Sequence, residues 1–219
     1  MEHIDWYVVF ILVGLLVSIP HFFLLKQYKK QHLITFIILL LATALESYGS
    51  YTVSRKINNV LSYNLFFVYV ETLLILIFLS SLISSDKVKS VIKAYIIIFI
   101  SFGLIYTIFI ENLLTFHNYS FSLGSAFIIT TCIYFFISIL NKEMNSKSKL
   151  VLNPIFWIVT LILLFYTSTF FYFSSLKLLL EIERDLVKIL SSLNRVVAIS
   201  MYLVMGGSFY LSYFHKKII

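Results

Sequence analysis

Two carboxylates interrupt stretches that are otherwise apolar. Glu46 opens "ESYGSY" after ten residues, 36–45, that hold one hydroxyl and no charge, and Glu71 closes "YNLFFVYVE". A charge at the centre of a membrane helix costs about 2.5–3.5 kcal/mol even on lenient insertion scales. Such a residue is therefore there for a reason: helix–helix glue as a protonated, hydrogen-bonded acid, or a ligand, proton or ion site. The sequence leaves both open. Two close carboxylates in a low dielectric repel each other, so at least one is expected to be protonated at neutral pH.

Other polar side chains are expected at the same side of the membrane as Glu46. Tyr48, Ser50, Tyr51 and Thr52 continue its segment, while Tyr63, Asn64 and Tyr69 precede Glu71. A later segment opens "FHNYSFSLGS", with His117, Asn118, Tyr119, Ser122 and Ser125, and the last opens with Asn194 and Arg195. Together they outline a candidate outward-opening pocket for a small ligand or cation. The competing explanation for Tyr and His at this height is the interfacial aromatic belt, and Arg195 equally suits a snorkelling anchor.

These residues need membrane helices to position them. The chain has 219 residues, 60% hydrophobic and 12% charged, with mean hydropathy +0.97. A soluble domain carries about 25% charged residues. Seven stretches reach the roughly 20 apolar residues a span requires: 6–25, 33–54, 60–83, 90–110, 119–140, 154–176 and 194–214. Their continuous apolar runs predict helices rather than barrel strands. The expectation is one all-α domain over 1–219, a polytopic bundle of seven helices. Segment 177–190 is amphipathic, and is expected either on the outer surface or as an extension of the sixth helix.

Charge sets the expected orientation. Lys26, Lys29, Lys30, Lys87, Lys89, Lys93, Lys142, Lys147, Lys149, Lys216 and Lys217 fall on one side; Arg55, Lys56, Lys177, Arg184, Lys188 and Arg195 fall on the other. The positive-inside rule puts the first set in the cytoplasm, the N-terminus outside and the C-terminus inside. The expected location is the inner membrane, multi-pass, with the lipid bilayer as partner. The net charge of +7 then reports topology, and no basic soluble face exists for nucleic acid. "MEHIDWYVVF" has no basic n-region, so the first segment is expected to stay as a helix.

Helix 2 runs outward and helix 3 inward on this plan. Glu46 lies about three residues past one midpoint and Glu71 about one before the other, so their depths differ by roughly 3 Å. A short loop favours antiparallel neighbours, and the two are expected to meet. No Lys or Arg is expected at that depth, which removes a salt bridge.

The remaining features are read as structural. Asn153–Pro154 predicts a helix start, with Asn as N-cap and Pro at the first position. Trp157 suits an interfacial anchor, and His21, after Pro20, a lone snorkelling side chain. Gly206–Gly207 suits close packing or a hinge. The only cysteine, Cys132, excludes an intrachain disulfide and a Cys-based zinc site. No HExxH, GxSxG, Walker loop or helically spaced His pair is present, so no residue set argues for catalysis, a metal or a cofactor.

The stretches "ALESYG", "YNLFFVYVE", "FHNYSFSLGS" and "NPIFWIVTLILLFY", in this order, resemble an uncharacterised family of small seven-helix membrane proteins abundant in Bacteroidota. The matching positions are Glu46, Gly49, Asn64, Glu71, His117, Tyr119, Gly124, Asn153, Pro154 and Trp157. Members are often encoded near histidine kinases, so the resemblance implies a sensory role and a kinase or other membrane partner. The alternative is a small-solute, proton or cation carrier using Glu46 and Glu71. Carriers of the three-plus-one-plus-three type have this length and helix number, but their paired prolines and internal repeat are not visible here.

Overall fold

The computed structural model describes residues 6–24, 28–143, 150–211 and 213. Residues 1–5, 25–27, 144–149, 212 and 214–219 lie outside the described set, and with them Lys26, Lys147, Lys149, Lys216, Lys217 and the expected end of the last helix at 214. The described residues form seven helices long and apolar enough to cross a membrane. They are α1 (Trp6–Leu24), α2 (Lys29–Ser54), α3 (Val60–Leu82), α4 (Asp86–Phe109), α5 (Asn118–Glu143), α6 (Pro154–Ile182) and α7 (Arg184–Gly207).

Local chemistry explains the breaks. Pro20 has no N–H to continue a helix, and α1 divides into Trp6–Ser18 and His21–Leu24. The turn before α3 is held by Asn58, whose Oδ1 accepts the Val60 N–H at 3.0 Å, and by Asn59, whose Nδ2 donates to Thr52 Oγ1 at 2.9 Å. As the sequence predicts, Asn153 caps α6: its Oδ1 accepts the Ile155 N–H at 3.0 Å, with Pro154 at the first position. Trp157 is partly exposed and donates Nε1–H to Val151 O at 2.9 Å.

Two features depart most from expectation. α6 runs on to Ile182 and α7 begins at Arg184, ten residues before the predicted 194. Of the two expectations for segment 177–190, its first residues follow the extension of the sixth helix, while those from Arg184 onward open the seventh. Charge at helical spacing is compatible with an amphipathic helix and does not mark a loop here. The second departure is in α3, where Tyr63–Glu71 is a nine-residue π-helix. Such i→i+5 stretches are rare and favour functional positions.

Contacts between helices fix their directions. Tyr7 meets Arg195, Gly14 meets Tyr202 and Val17 meets Tyr210, so both numberings rise together and α1 is parallel to α7. Glu46 with Tyr63, Tyr95 with Phe127, and Phe116 with Phe173 run in opposite senses. The helices thus alternate in direction, and the first and last start at the same end of the bundle. We call that end the Trp6 end and its opposite the Lys29 end. α7 lies between α1 and α6 and also touches α2; α5 lies on α6 and α3, with α4 against α5 and α3.

Glycines set the closest approach. A Cβ on Gly14 would stand 2.9 Å from Tyr202 O, and one on Gly206 would strike Gly14 O. This is the small-residue crossing that lets membrane helices pack backbone to backbone. Of the two readings of Gly206, packing holds. Gly207 has only Val17 Cγ1, at 4.0 Å, near its missing Cβ.

Candidate functional site

Glu71 is 1% exposed, and its hydrogen-bond partner among the described residues is Tyr202, whose hydroxyl donates to Oε1 at 2.8 Å. Glu46 is half-buried and accepts the Tyr63 hydroxyl on Oε2 at 2.9 Å. Each carboxyl thus has its own tyrosine. The two acids are still within Coulombic range of each other and of the half-buried Tyr7 phenol on α1. Arg195 joins this group, with its guanidinium carbon 6.0 Å from the Tyr7 ring centre and within Coulombic range of its hydroxyl. Beyond Glu71, Tyr166 of α6 is in range of its charge and faces Thr72. The result is a polar column from Glu46, Tyr63 and Arg195 through Tyr7 to Glu71, Tyr202, Tyr166 and Thr72.

Three elements position the column. Gly49 makes room for Tyr63, whose hydroxyl would collide with a Cβ there, so the "ESYG" spacing seats the Tyr63–Glu46 bond. The Gly14–Gly206 crossing brings Tyr202 inward one turn before Gly206. The early start of α7 places Arg195 within a helix instead of at its mouth. Arg195 is seven residues from Tyr202, about 10 Å along the helix, and so stands off the depth of Glu71. It is an exposed side chain on the Trp6 side of the column.

The column ends in hydrocarbon. Toward the Lys29 end, Glu71 is followed by fully buried Ile75, Leu76 and Leu79 on α3, with Ile38 and Leu39 of α2, Ile158, Val159 and Ile162 of α6 and Met205 of α7 in the same core. On the far side of that layer is a cleft of about 300 Å³ lined by Tyr28, Gln31, Ser81, Ser84, Ser138 and Asn153 among others.

Asn64, Tyr69 and His117 form a second cluster on another side of α3. Asn64 is fully buried; its Nδ2 donates to Leu113 O at 2.9 Å and Thr115 O at 2.6 Å, and its Oδ1 accepts the His117 N–H at 3.0 Å. The Tyr69 hydroxyl lies 2.7 Å from His117 Nδ1 and 3.1 Å from Ser120 Oγ, and His117 Nε2 lies 3.1 Å from Asn112 O. A carbonyl only accepts, so Nε2 carries a proton and donates it to Asn112 O. The cluster ties the α4–α5 connection to α3. In an α-helix Asn64 and Tyr69 would point about 140° apart; the π-helix, whose bonds join residues five apart, brings both to this loop. Gly103 admits the Tyr69 ring, 2.5 Å from where its Cβ would be.

The remaining candidates are not brought to the column. Tyr51 is half exposed beneath Arg55, at 5.0 Å, and Tyr119 is exposed beside Tyr106. Tyr48 lines a side cleft of about 270 Å³ with Leu41, Ala44, Leu45, Ser62 and Phe66. His21 corrects the snorkelling expectation: it is 1% exposed, its Nε2 lies 3.2 Å from Gly206 O, and its ring is 5.3 Å from that of the equally buried His32. Among the described residues no three His, Cys, Asp or Glu side chains converge as a metal site would require.

Sequence reasoning does not single out Tyr7, Thr72, Tyr166 or Tyr202. The signal that could find Tyr202 is the amphipathic period from Arg184 onward, which lowers "ISMYLVMGG" to the depth of Glu71.

Fold and site together define a multi-pass membrane protein with an intramembrane polar column. No protein-family model, curated protein or solved structure matches the chain.

Proposed function

We propose that this is a non-enzymatic inner-membrane sensory component, with its N-terminus outside, its C-terminus in the cytoplasm, and the polar column opening outward. The observation that carries the reading is that the column stops. Glu46 is half-buried, Glu71 is sealed, and an apolar layer follows. A solute or ion entering from the Trp6 end meets acids and phenols from α1, α2, α3 and α7 and changes how those helices pack. The response reaches the Lys29 end by helix displacement, where a membrane partner such as a histidine kinase reads it. Orientation is tested by a reporter fused after Ile219, which should be active in the cytoplasm; periplasmic activity overturns the topology.

One observation favours a second reading, a small-solute, proton or cation carrier. The cleft containing Gln31, Ser81 and Asn153 lies across the apolar layer from Glu71, as alternating access around a midplane site requires. Proteoliposomes holding a pH- or sodium-sensitive dye separate the two. A sensor leaves imposed gradients to decay as in empty vesicles. A flux abolished by Glu46→Gln, with the fold intact, makes the protein a carrier and removes the sensory reading.

A further inference from the structure

The buried threonines of this chain follow a rule with one exception. Thr35, Thr43, Thr52, Thr131 and Thr169 each donate their hydroxyl to a carbonyl of their own helix, at 2.7–2.9 Å. That is the usual solution for a hydroxyl in a membrane helix. Thr72 Oγ1 has no such bond. It follows directly on the π-helix, where the widened turn moves the i−4 carbonyl out of register. Tyr166, the largest fully buried side chain among the described residues, also makes no bond of good geometry, and the hydroxyl within its reach is that of Thr72 itself. Ser125 adds a third such oxygen from α5. It lies one turn beyond Phe121, whose ring is 6.2 Å from that of Tyr166, and next to Gly124, whose missing Cβ would stand 2.8 Å from Thr72 Cγ2.

A carboxyl stands beside this group: the charge of Glu71 is in range of the Tyr166 hydroxyl. Glu71 immediately precedes Thr72 and commits only Oε1 to Tyr202. An unpartnered buried hydroxyl costs roughly 2–7 kcal/mol, depending on the reference state, so several side by side with a buried acid mark a place built for an occupant. A protonated Glu71 supplies one donor and leaves most of these oxygens unanswered. A cation engages all of them at once and balances the carboxylate.

We propose that Glu71, Thr72 and Tyr166, with Ser125 at the α5 wall, bind a dehydrated monovalent alkali cation of sodium size. The donor set is oxygen only, which suits a hard ion and not a thiolate- or imidazole-seeking metal. It offers one carboxylate, whereas calcium sites draw on several charged and neutral oxygens. Glu46 is not a ligand, since Tyr63 holds it some eight residues along α3 from Glu71. The proposal rests on the outward-opening column as the route of entry and names what that column admits.

The test is thermal unfolding of the full-length protein in nanodiscs, at constant pH and ionic strength, with sodium replaced stepwise by choline. Sodium should raise the melting temperature saturably. Thr72→Val and Tyr166→Phe, which remove one oxygen each at nearly constant volume, should each weaken the apparent sodium affinity about tenfold, equivalent to about 1.4 kcal/mol. Thr43→Val, whose hydroxyl is tied to Leu39 O, should titrate as the wild type. In choline Tyr166→Phe should be at least as stable as the wild type, because an orphaned hydroxyl has been removed. These two variants decide the matter even if Glu71→Gln does not fold. Equal melting in sodium and choline, or unaltered sodium dependence in both variants, overturns the proposal. Stabilisation by acid alone, identical in both salts, overturns it in favour of a proton while leaving the sensory reading in place. Sodium binding that survives in vesicles showing sodium flux would instead keep the site and remove the sensory reading.

Discussion

Asn64 is the point at which one substitution should undo the most structure. Replacing it with alanine removes the donors to Leu113 O and Thr115 O and the acceptor of the His117 N–H. At about 0.6 kcal/mol per bond by membrane-protein cycles, or about 1 kcal/mol by soluble-protein series, three bonds contribute about 2–3 kcal/mol. The side chain is fully buried, so water does not readily replace them, and the upper figure should win. A change of that size lowers the melting temperature by about 4–12 °C in a domain of this length. Cys132 supplies the assay: it is the only cysteine, completely buried on α5, so a thiol-reactive fluorophore reports unfolding without labelling the native protein. Asn58→Ala, at an exposed turn bonded to Val60 N, serves as the comparison. If Asn64→Ala melts with Asn58→Ala or above it, the α4–α5 connection is not held by Asn64 and the clamp is wrong.

The two adjacent glycines should respond with opposite signs. Gly206→Ala would drive a methyl into Gly14 O and should cost about 1–3 kcal/mol by overpacking, while Gly207→Ala has room and should gain about 0.5–1 kcal/mol from reduced backbone freedom; both are read by the same thiol melt. Gly103→Ala should displace the Tyr69 ring and quicken amide exchange at His117, leaving exchange in α6 unchanged. Asn153→Ala should lose about 0.5–2 kcal/mol and Asn153→Ser almost nothing, measured as melting temperature; a large loss in the serine variant would assign Asn153 a role in the cleft it lines.

Hydropathy makes the seven spans legible, because a chain this apolar can satisfy its backbone in lipid only as helices. Glu46 and Glu71 are legible for the same reason: an acid in an apolar run is conspicuous. The start of α7 is not, since "EIERDLVKILSS" is rich in charge and the eye reads charge as loop. That error displaces Arg195 to the helix mouth and hides Tyr202. The π-helix is hidden for a different reason. It is a property of backbone hydrogen bonding, and "YNLFFVYVE" has the composition of any membrane helix. Only the five-residue spacing of Asn64 and Tyr69, both bonded to His117 in space, reveals it. Thr72 and Tyr166 are illegible because what distinguishes them is a missing bond.

The Glu71–Tyr202 bond joins residues 131 apart in the chain. At about 5–20 residues per second of synthesis, roughly 7–26 s separate the appearance of the acid from that of its partner. During that interval α3 is already made, and its carboxyl has no tyrosine to receive it. The parallel pairing of α1 with α7 imposes a longer wait on Gly14, whose counterpart Gly206 lies farther still along the chain. The bundle is therefore a barrel whose last stave closes it. A ribosome stalled before α7 should leave an assembly that membrane quality-control proteases recognise through its unescorted acid, so Tyr202 doubles as a mark that α7 has docked.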